Sequence, residues 1–516
     1  MRLSFKDYNL TISLYKNTLI IKKNFIKYLF FSVLVFFLCY NVSQSCVRQN
    51  WQNAAVLVIV FAVIIYFLQR PKLIFLSFIF FLPYTEAVQL IRADFANIPN
   101  FLGLVVIIYI IYFLAEGEDL KFKKTPIDIP VMFLLIVILF SIFQSRFIPP
   151  SYELGDTATF FKKPFIRSIF QFVSFSYVVL LFYVVSALIN NKEEIRNIIN
   201  IWILSAFIIC VIGLYGAGGI FFNLPMAGKL VNMDMLIPRV SSLIKEPMFL
   251  GVYLISILPV VFSLILARSE NFNQKWLKIN LLIGLIVMFA TMARGAWMGI
   301  FLSFVIIVFY YFKLTKKIIK ISLIVFGIII IMLTVIYFIM VGLEVERFFV
   351  GRFLNLSEDF STLTRIDTMI AGLNMFKAHP VLGVGIGNYL LSFIEYAPDF
   401  HYFLFNWIPG GLFIFPAAHN LFINFLAETG VLGTSAVVVF FITIIIFTIK
   451  SLKVIRDDFY RPLVVGYLGG FYGILFTFQF FSTITLTFIW IYFSLMITIQ
   501  ILALKEIKLR SRDNEK

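Results

Sequence analysis

Charged residues are scarce in this sequence, at 14% of its 516 residues against about 25% in ordinary soluble domains. Its three cysteines, Cys39, Cys46 and Cys210, form no CxxC pair and no metal-ligand spacing, so neither a disulfide framework nor a zinc site is expected. The sequence also lacks a P-loop, an HExxH motif and a DxD-like pair in a polar loop. These absences argue against a nucleotide-hydrolysing core, a zinc hydrolase and a metal-dependent nucleotide-sugar site.

Long apolar runs dominate instead. Hydrophobic residues make up 61% of the chain, which includes 64 phenylalanines, and the mean hydropathy is +0.97. A membrane-spanning helix needs about 20 apolar residues. The runs predict an all-α integral membrane protein with about fourteen transmembrane helices. The predicted spans are 28–47, 53–68, 73–90, 98–114, 127–145, 169–189, 197–215, 248–267, 277–293, 296–312, 320–342, 420–449, 462–480 and 484–504.

The net charge of +16 would indicate nucleic acid in a soluble protein, but here the basic residues fall between apolar runs. With the N-terminus placed in the cytoplasm, 29 of the 43 lysines and arginines lie on the cytoplasmic side. We therefore expect a multi-pass membrane protein with both termini in the cytoplasm, and no nucleic-acid partner.

Three substantial loops face the opposite side, at 146–168, 216–247 and about 343–419. The last contains all three histidines, a stretch with Ile366, Ile370, Leu373 and Phe376 at helical spacing, and many aromatic residues later on. Amphipathic or interfacial helices are expected in this long loop. The predicted organisation is a basic cytoplasmic segment (1–27), an N-terminal transmembrane bundle (28–230), a transmembrane region with arginine motifs (231–342), an extracytoplasmic catalytic loop (343–419), C-terminal transmembrane helices (420–504) and a cytoplasmic tail (505–516).

Two arginines stand at the outer ends of predicted spans. Arg294, in "TMARGAWMGI", has almost no polar linker around it, so it either touches lipid headgroups or faces a cavity and binds an anion. Arg239 stands seven residues before Glu246, and the two would share one face if the stretch were helical. Pro247 argues against a continuous helix. A structural ion pair is the alternative for this pair.

Arg365 opens the amphipathic stretch, and His419 stands at the entry to a predicted span. These residues, with Arg239, Arg294 and Glu246, form a constellation near the outer membrane surface. Guanidinium groups suit phosphate because the fork binds two oxygens at once. Histidine or glutamate can take a proton from an attacking hydroxyl. A lipid diphosphate would place its phosphates at this depth.

Gly383, Gly385 and Gly387 are expected to form a tight turn, since a dinucleotide fingerprint would require a βαβ unit.

Four segments at these residues resemble a known superfamily, the bacterial O-antigen ligases and Wzy-type polysaccharide polymerases. They are "RVSSLIKEPMFLGVYL", "ARGAW", "TRIDTMIAGLNMFKAHPVLGVGIGNYL" and "AHNLFINFLAETGVLG". The likeness covers roughly residues 235–440. The HPxxGxGxGN and HNxFxxxxxExGxxG patterns are fairly specific together, whereas "ARGAW" alone is weak.

The resemblance implies metal-independent, inverting transfer of a glycan from undecaprenyl diphosphate to a glycan or lipid acceptor. The reaction would take place on the outer face of the bacterial inner (plasma) membrane. The resemblance assigns diphosphate binding to Arg239 and Arg294, with Arg365 at the loop arginine of the family. Either His419 or Glu246 would activate the acceptor hydroxyl. No cofactor and no metal is expected, because the lipid diphosphate is itself an activated donor. The predicted partners are the undecaprenyl-diphosphate-linked oligosaccharide, its acceptor and membrane lipids.

Several readings stay open at the level of the sequence. Polymerase and ligase are not separated, and about fourteen spans exceed the dozen typical of the ligases. A lipid-linked oligosaccharide flippase or other polytopic transporter is the rival class, but its charges should line a cavity at mid-membrane depth. A structural membrane protein, in which the constellation is accidental, is the third reading.

Overall fold

The chain folds into a largely helical structure, described by a computed structural model over residues 71–85, 97–115, 122–148, 163–222, 224–234, 237–244, 246–312, 360–398 and 417–514. Its elements are α1 (Pro71–Phe81), α2 (Ile98–Ala115), α3 (Asp128–Gln144), α4 (Pro164–Leu188), α5 (Lys192–Phe221), β1 (Val231–Asp234), β2 (Ile237–Val240), α6 (Pro247–Leu266), α7 (Gln274–Ala290), α8 (Arg294–Phe312), α9 (Phe360–Ala378), α10 (Tyr389–Tyr396), α11 (Leu421–Val454), α12 (Tyr460–Thr477) and α13 (Thr487–Asn514). Helices α1 and α2 belong to one compact unit and the elements from α3 onward to a second.

Six described helices are long and apolar enough to cross a membrane, namely α4, α5, α6, α8, α11 and α13, and α1, α2 and α3 are shorter apolar helices. Eleven of the fourteen predicted spans coincide at least in part with described helices. The span predicted at 73–90 differs, because its helix ends at Phe81, just before Pro83. The predicted spans 28–47, 53–68 and 320–342 lie outside the described residues, as does the aromatic segment 403–415.

The second unit is built around α6, α8 and α12, which pack closely on one another. Glycines make the close approach possible. A Cβ on Gly466 would lie 2.5 Å from the Cα of Val260, and one on Gly470 would lie 2.9 Å from the carbonyl oxygen of Ile255. Small residues at such positions are typical of helix pairs inside membranes, where close backbone contact supplies the packing energy.

Buried polar bonds join α13 to its neighbours. The Ser494 hydroxyl donates to the Phe182 carbonyl at 2.7 Å, and Gln500 Nε2 donates to the Thr448 hydroxyl at 3.1 Å. At the end of the bundle where α5 begins and α13 ends, Lys192 Nζ lies 3.0 Å from Asp457 and 3.3 Å from Glu506. The candidate site described below lies at the opposite ends of these helices.

The predicted amphipathic stretch is confirmed as a helix, α9. Its Ile366, Ile370 and Leu373 side chains are exposed, whereas Ala371 and Met375 are buried with the neighbouring α10 and α11. The loop predicted at 216–247 contains a short antiparallel hairpin, β1–β2, in which Asn232 pairs with Arg239. A hairpin was not expected from the sequence.

Candidate active site

Arg239 is carried by the hairpin rather than by a helix. The hairpin is anchored on α5, because a Cβ on Gly213 would lie 2.9 Å from Val240 and the Ser242 hydroxyl donates to the Ile209 carbonyl at 2.7 Å. Arg239 is half-buried, and its Nε donates to the Thr291 carbonyl at 3.3 Å. Thr291 follows α7, so the guanidinium reaches the turn between α7 and α8.

Arg294 begins α8, three residues after that contact. The turn is tight, with Met292 at φ 52° and the Thr291 hydroxyl accepting the Ala293 amide at 3.2 Å. Trp297 closes it by donating from Nε1 to the Met288 carbonyl at 2.9 Å. The bond from Arg239 to Thr291 therefore brings the two predicted phosphate ligands to one corner of the bundle.

Glu246 is the N-cap residue of α6 and is exposed. Its backbone is extended (φ −137°, ψ 147°), and Pro247 begins the helix. Arg239 and Glu246 therefore do not share a helical face, since the chain between them leaves a strand and turns before α6. The start of α6 nevertheless lies beside that of α8, because a Cβ on Gly295 would lie 3.2 Å from Met248 Cε and 3.0 Å from the ring of Phe480.

The C-terminal end of α12 connects α8 to His419. Phe480 packs on Gly295 of α8, and two residues earlier the Phe478 carbonyl accepts the Leu421 amide at 2.8 Å. Between them, the Gln479 side chain accepts from Asn420 Nδ2 at 3.2 Å. The start of α11 is thus bound to the segment that covers the start of α8.

His419 precedes the N-cap of α11 in a left-handed backbone conformation, φ 48°, that is uncommon for residues other than glycine. Asn420 is the cap itself, since its Oδ1 accepts the amides of Phe422 and Ile423 at 3.0 and 3.1 Å. Burial of the ring and, to a lesser extent, the positive charge of Arg365 lower the pKa of His419 to about 4. The imidazole is therefore neutral at physiological pH.

Arg365 lies on α9, which packs along the first half of α11. A Cβ on Gly372 would lie 2.7 Å from Ile423, and the Tyr389 hydroxyl of α10 donates to the Thr368 carbonyl. The charge of Arg365 acts on His419 across this contact. Contacts between neighbouring residues thus connect the segments that carry Arg239, Arg294, His419 and Arg365, and the exposed Glu246 lies at the edge of this region.

The tight turn predicted at Gly383, Gly385 and Gly387 is confirmed, with φ values of 66°, 94° and 79°. It docks on α11 where Gly430 breaks the helix (φ 64°, ψ −161°). The amides of residues 384 and 385 donate to the carbonyls of residues 427 and 428, respectively, each at 2.9 Å. In the other direction, the amide of residue 431 donates to the carbonyl of residue 380, also at 2.9 Å. These bonds satisfy backbone groups that the break leaves without helical partners.

Two residues that hold this turn, Arg167 and Glu428, have no role in the predictions made from the sequence. Glu428 is 6% exposed and accepts the Tyr389 amide at 3.1 Å, and Arg167 Nε donates to the Gly387 carbonyl at 2.5 Å. The available signal was a glutamate inside an apolar helix, since ionisable residues at such positions are costly and usually have a partner. Within the described parts of the chain, no three His, Cys, Asp or Glu side chains are grouped so as to hold a metal ion.

The arrangement defines a class: a multi-pass helical membrane protein with arginines and a neutral histidine gathered at one end of the bundle. A family model described as Wzy_C, O-antigen ligase, matches residues 279–438. This match confirms the predicted resemblance to the superfamily of O-antigen ligases and Wzy-type polymerases, and it indicates a membrane enzyme of glycan transfer. It includes Arg294, Arg365 and His419 and begins after Arg239 and Glu246. No curated protein sequence matches the chain.

Proposed function

We propose that the protein transfers or polymerises a glycan carried on undecaprenyl diphosphate, at the outer face of the bacterial plasma membrane, by metal-independent inverting glycosyl transfer. The observation that supports the proposal is that the segments carrying Arg239, Arg294, Arg365 and a neutral His419 pack together at one end of the helical bundle. The O-antigen ligase match supports the class of reaction. The lipid chain would stay in the bilayer while the diphosphate lies at the helix ends.

Arg239 and Arg294 would bind the diphosphate. Both are half-buried and converge on the turn after α7, so an anion there would exchange bulk water for guanidinium groups and the amides at the start of α8. Charge develops on the diphosphate as the anomeric bond breaks. Positive groups fixed in advance stabilise that charge most where water is excluded.

His419 would accept the proton of the attacking acceptor hydroxyl. A histidine whose pKa is about 4 is neutral and ready to accept a proton, but it is a weak base. A bound diphosphate would offset the charge of Arg365, which is one of the two causes that lower this pKa. Donor binding would therefore make the base stronger. Glu246, exposed at the cap of α6, is the competing candidate for the same role.

The proposal is tested by measuring donor binding and turnover separately in three variants. His419→Ala should lower turnover by about 10²- to 10⁴-fold and leave donor affinity largely unchanged. Arg239→Ala should weaken donor binding, and Glu246→Gln should keep near-normal turnover. If Glu246→Gln loses turnover and His419→Ala loses affinity, the two roles are exchanged. Normal turnover in folded His419→Ala and Glu246→Gln proteins would rule out both as the base.

A further inference from the structure

The glycine turn between α9 and α10 is held by polar side chains on both sides of one peptide. The Gly387 amide donates to the Glu428 carboxylate of α11, and its carbonyl accepts from Arg167 of α4 at 2.5 Å. Glu428 also accepts the Tyr389 amide at 3.1 Å and a bond from the Asn424 side chain. Arg167 and Glu428 thus bind opposite sides of one peptide of the turn and interact electrostatically across it.

Further bonds fix the same turn to α3 and α4. The Ser168 hydroxyl donates to the Ile386 carbonyl at 2.7 Å and accepts from Asn388 Nδ2 at 3.0 Å. The Ile386 amide lies 3.3 Å from the Ser141 hydroxyl, its acceptor. The turn is therefore held by three helices at once, which is more restraint than a connecting segment requires.

The position of the turn gives this restraint a consequence for the site. The turn follows the C-terminal end of α9, whose N-terminal part carries Arg365. It docks at residues 427–431 in the first third of α11, the helix that begins just after His419. Glu428 stands nine residues beyond His419, about two turns into α11. Residue 372 of α9 also packs on Ile423 of α11, so the two helices and the turn form one unit.

We propose that Glu428, together with Arg167, is a positioning residue that fixes the placement of Arg365 against His419. Neither side chain needs to touch the substrate for this. The inference rests on the proposed function only for the catalytic importance of His419. The placement itself is measurable on the protein without any substrate, so failure of the inference and failure of the proposed function are distinguishable.

The chain has three histidines, which makes a direct titration feasible. In a His379→Gln, His401→Gln background, His419 is the single histidine, and diethyl pyrocarbonate reacts with its neutral form. The pH dependence of the modification rate then reports its pKa. The charge of Arg365, one of the two causes that lower this pKa, depends on the packing of α9 on α11, and the neighbouring Asn420 and Gln479 are neutral.

We expect the midpoint of the pH dependence of His419 modification to lie near pH 4 in the parent protein and to move toward pH 6.5 in Glu428→Gln. Asp457→Asn is the matched control, because it removes a carboxylate and its 3.0 Å ion pair with Lys192 at the other end of the same bundle. The His419 midpoint in this control should be the same as in the parent protein. An unchanged midpoint in Glu428→Gln, or an equal shift in the control, would overturn the proposal.

Ser168→Ala provides a second, milder variant in case Glu428→Gln does not fold. It removes two of the bonds that hold the turn without creating a buried charge. A smaller upward shift of the His419 midpoint is expected in this variant. If Ser168→Ala folds and leaves the midpoint at the parent value while Glu428→Gln fails to fold, Glu428 is a folding residue only and the positioning role is refuted.

Discussion

The strongest quantitative prediction concerns acid pH and His419. With a pKa of about 4, about 97% of the imidazole is neutral at pH 5.5, whereas with an ordinary pKa of 6.5 only about 9% would be. Because kcat/KM reports the ionisation of the free enzyme, it should be nearly the same at pH 5.5 and pH 7.5. An ordinary histidine would cause a roughly tenfold loss over the same interval.

Arg365→Gln tests the cause of this shift. The charge of Arg365 is the smaller of the two causes that lower the pKa of His419. Removing it should therefore raise the acid-limb pKa of kcat/KM only part of the way from 4 toward 6.5. Arg510→Gln is the control, because Arg510 is exposed and pairs with Glu506 at the opposite end of the bundle. Initial rates with a lipid-linked donor, measured from pH 4 to pH 8, give the three profiles.

Two results would refute this reasoning. One is an acid-limb pKa of kcat/KM near 6.5 in the wild-type enzyme. It would mean either that His419 is neither buried nor influenced by Arg365 in the working enzyme, or that His419 is not the base. The other is an Arg365→Gln limb that coincides with that of the wild type. We also expect the acid-limb pKa of kcat to be higher than that of kcat/KM, because bound diphosphate offsets the charge of Arg365.

Four further outcomes are expected. Arg294→Lys should impair turnover nearly as much as Arg294→Ala, because lysine keeps the charge and loses the bidentate fork; full activity in the lysine variant would contradict this. EDTA should leave turnover intact, and a loss restored by a divalent ion would contradict a metal-independent mechanism. A cysteine at the exposed position Lys377, in a cysteine-free background, should react with an impermeant reagent in intact cells; labelling only after disruption would reverse the topology. Gly383→Ala should destabilise the protein by about 2 kcal/mol or more, because φ is positive there and the new Cβ would overlap the backbone of Glu428. Gly228 has open space around it, so Gly228→Ala should change thermal stability little. Equal effects of the two substitutions would contradict the docked turn.

Most of the described helices could be predicted from the sequence, because an apolar run of spanning length has few alternatives to a helix in a membrane protein. It also placed Arg294 and His419 correctly at helix ends, since both stand next to long apolar runs. The end of α1 at Phe81 was missed because apolar residues continue beyond Pro83 and hydropathy does not distinguish a helix from an apolar turn. The hairpin that carries Arg239 was missed because its strands are four residues long, too short for a periodic pattern.

The roles of Glu428 and Arg167 could not be read from the sequence for a different reason. Their partners are backbone groups of a turn, and Arg167 lies 220 residues before Gly387 in the chain. The pattern of glycines predicted the turn but not the surface against which it packs. The lowered pKa of His419 has the same origin, because it depends on burial and on a charge carried by another helix.

The central claim is most directly tested by incubating the purified protein with a synthetic undecaprenyl-diphosphate repeat unit. We predict that undecaprenyl diphosphate is released together with a longer glycan. A polymerase would give a ladder of products, whereas a ligase would give one transfer to an added acceptor. His419→Ala should abolish this product. Movement of the intact donor across a vesicle membrane, without cleavage of its anomeric bond, would contradict the account and identify a transporter.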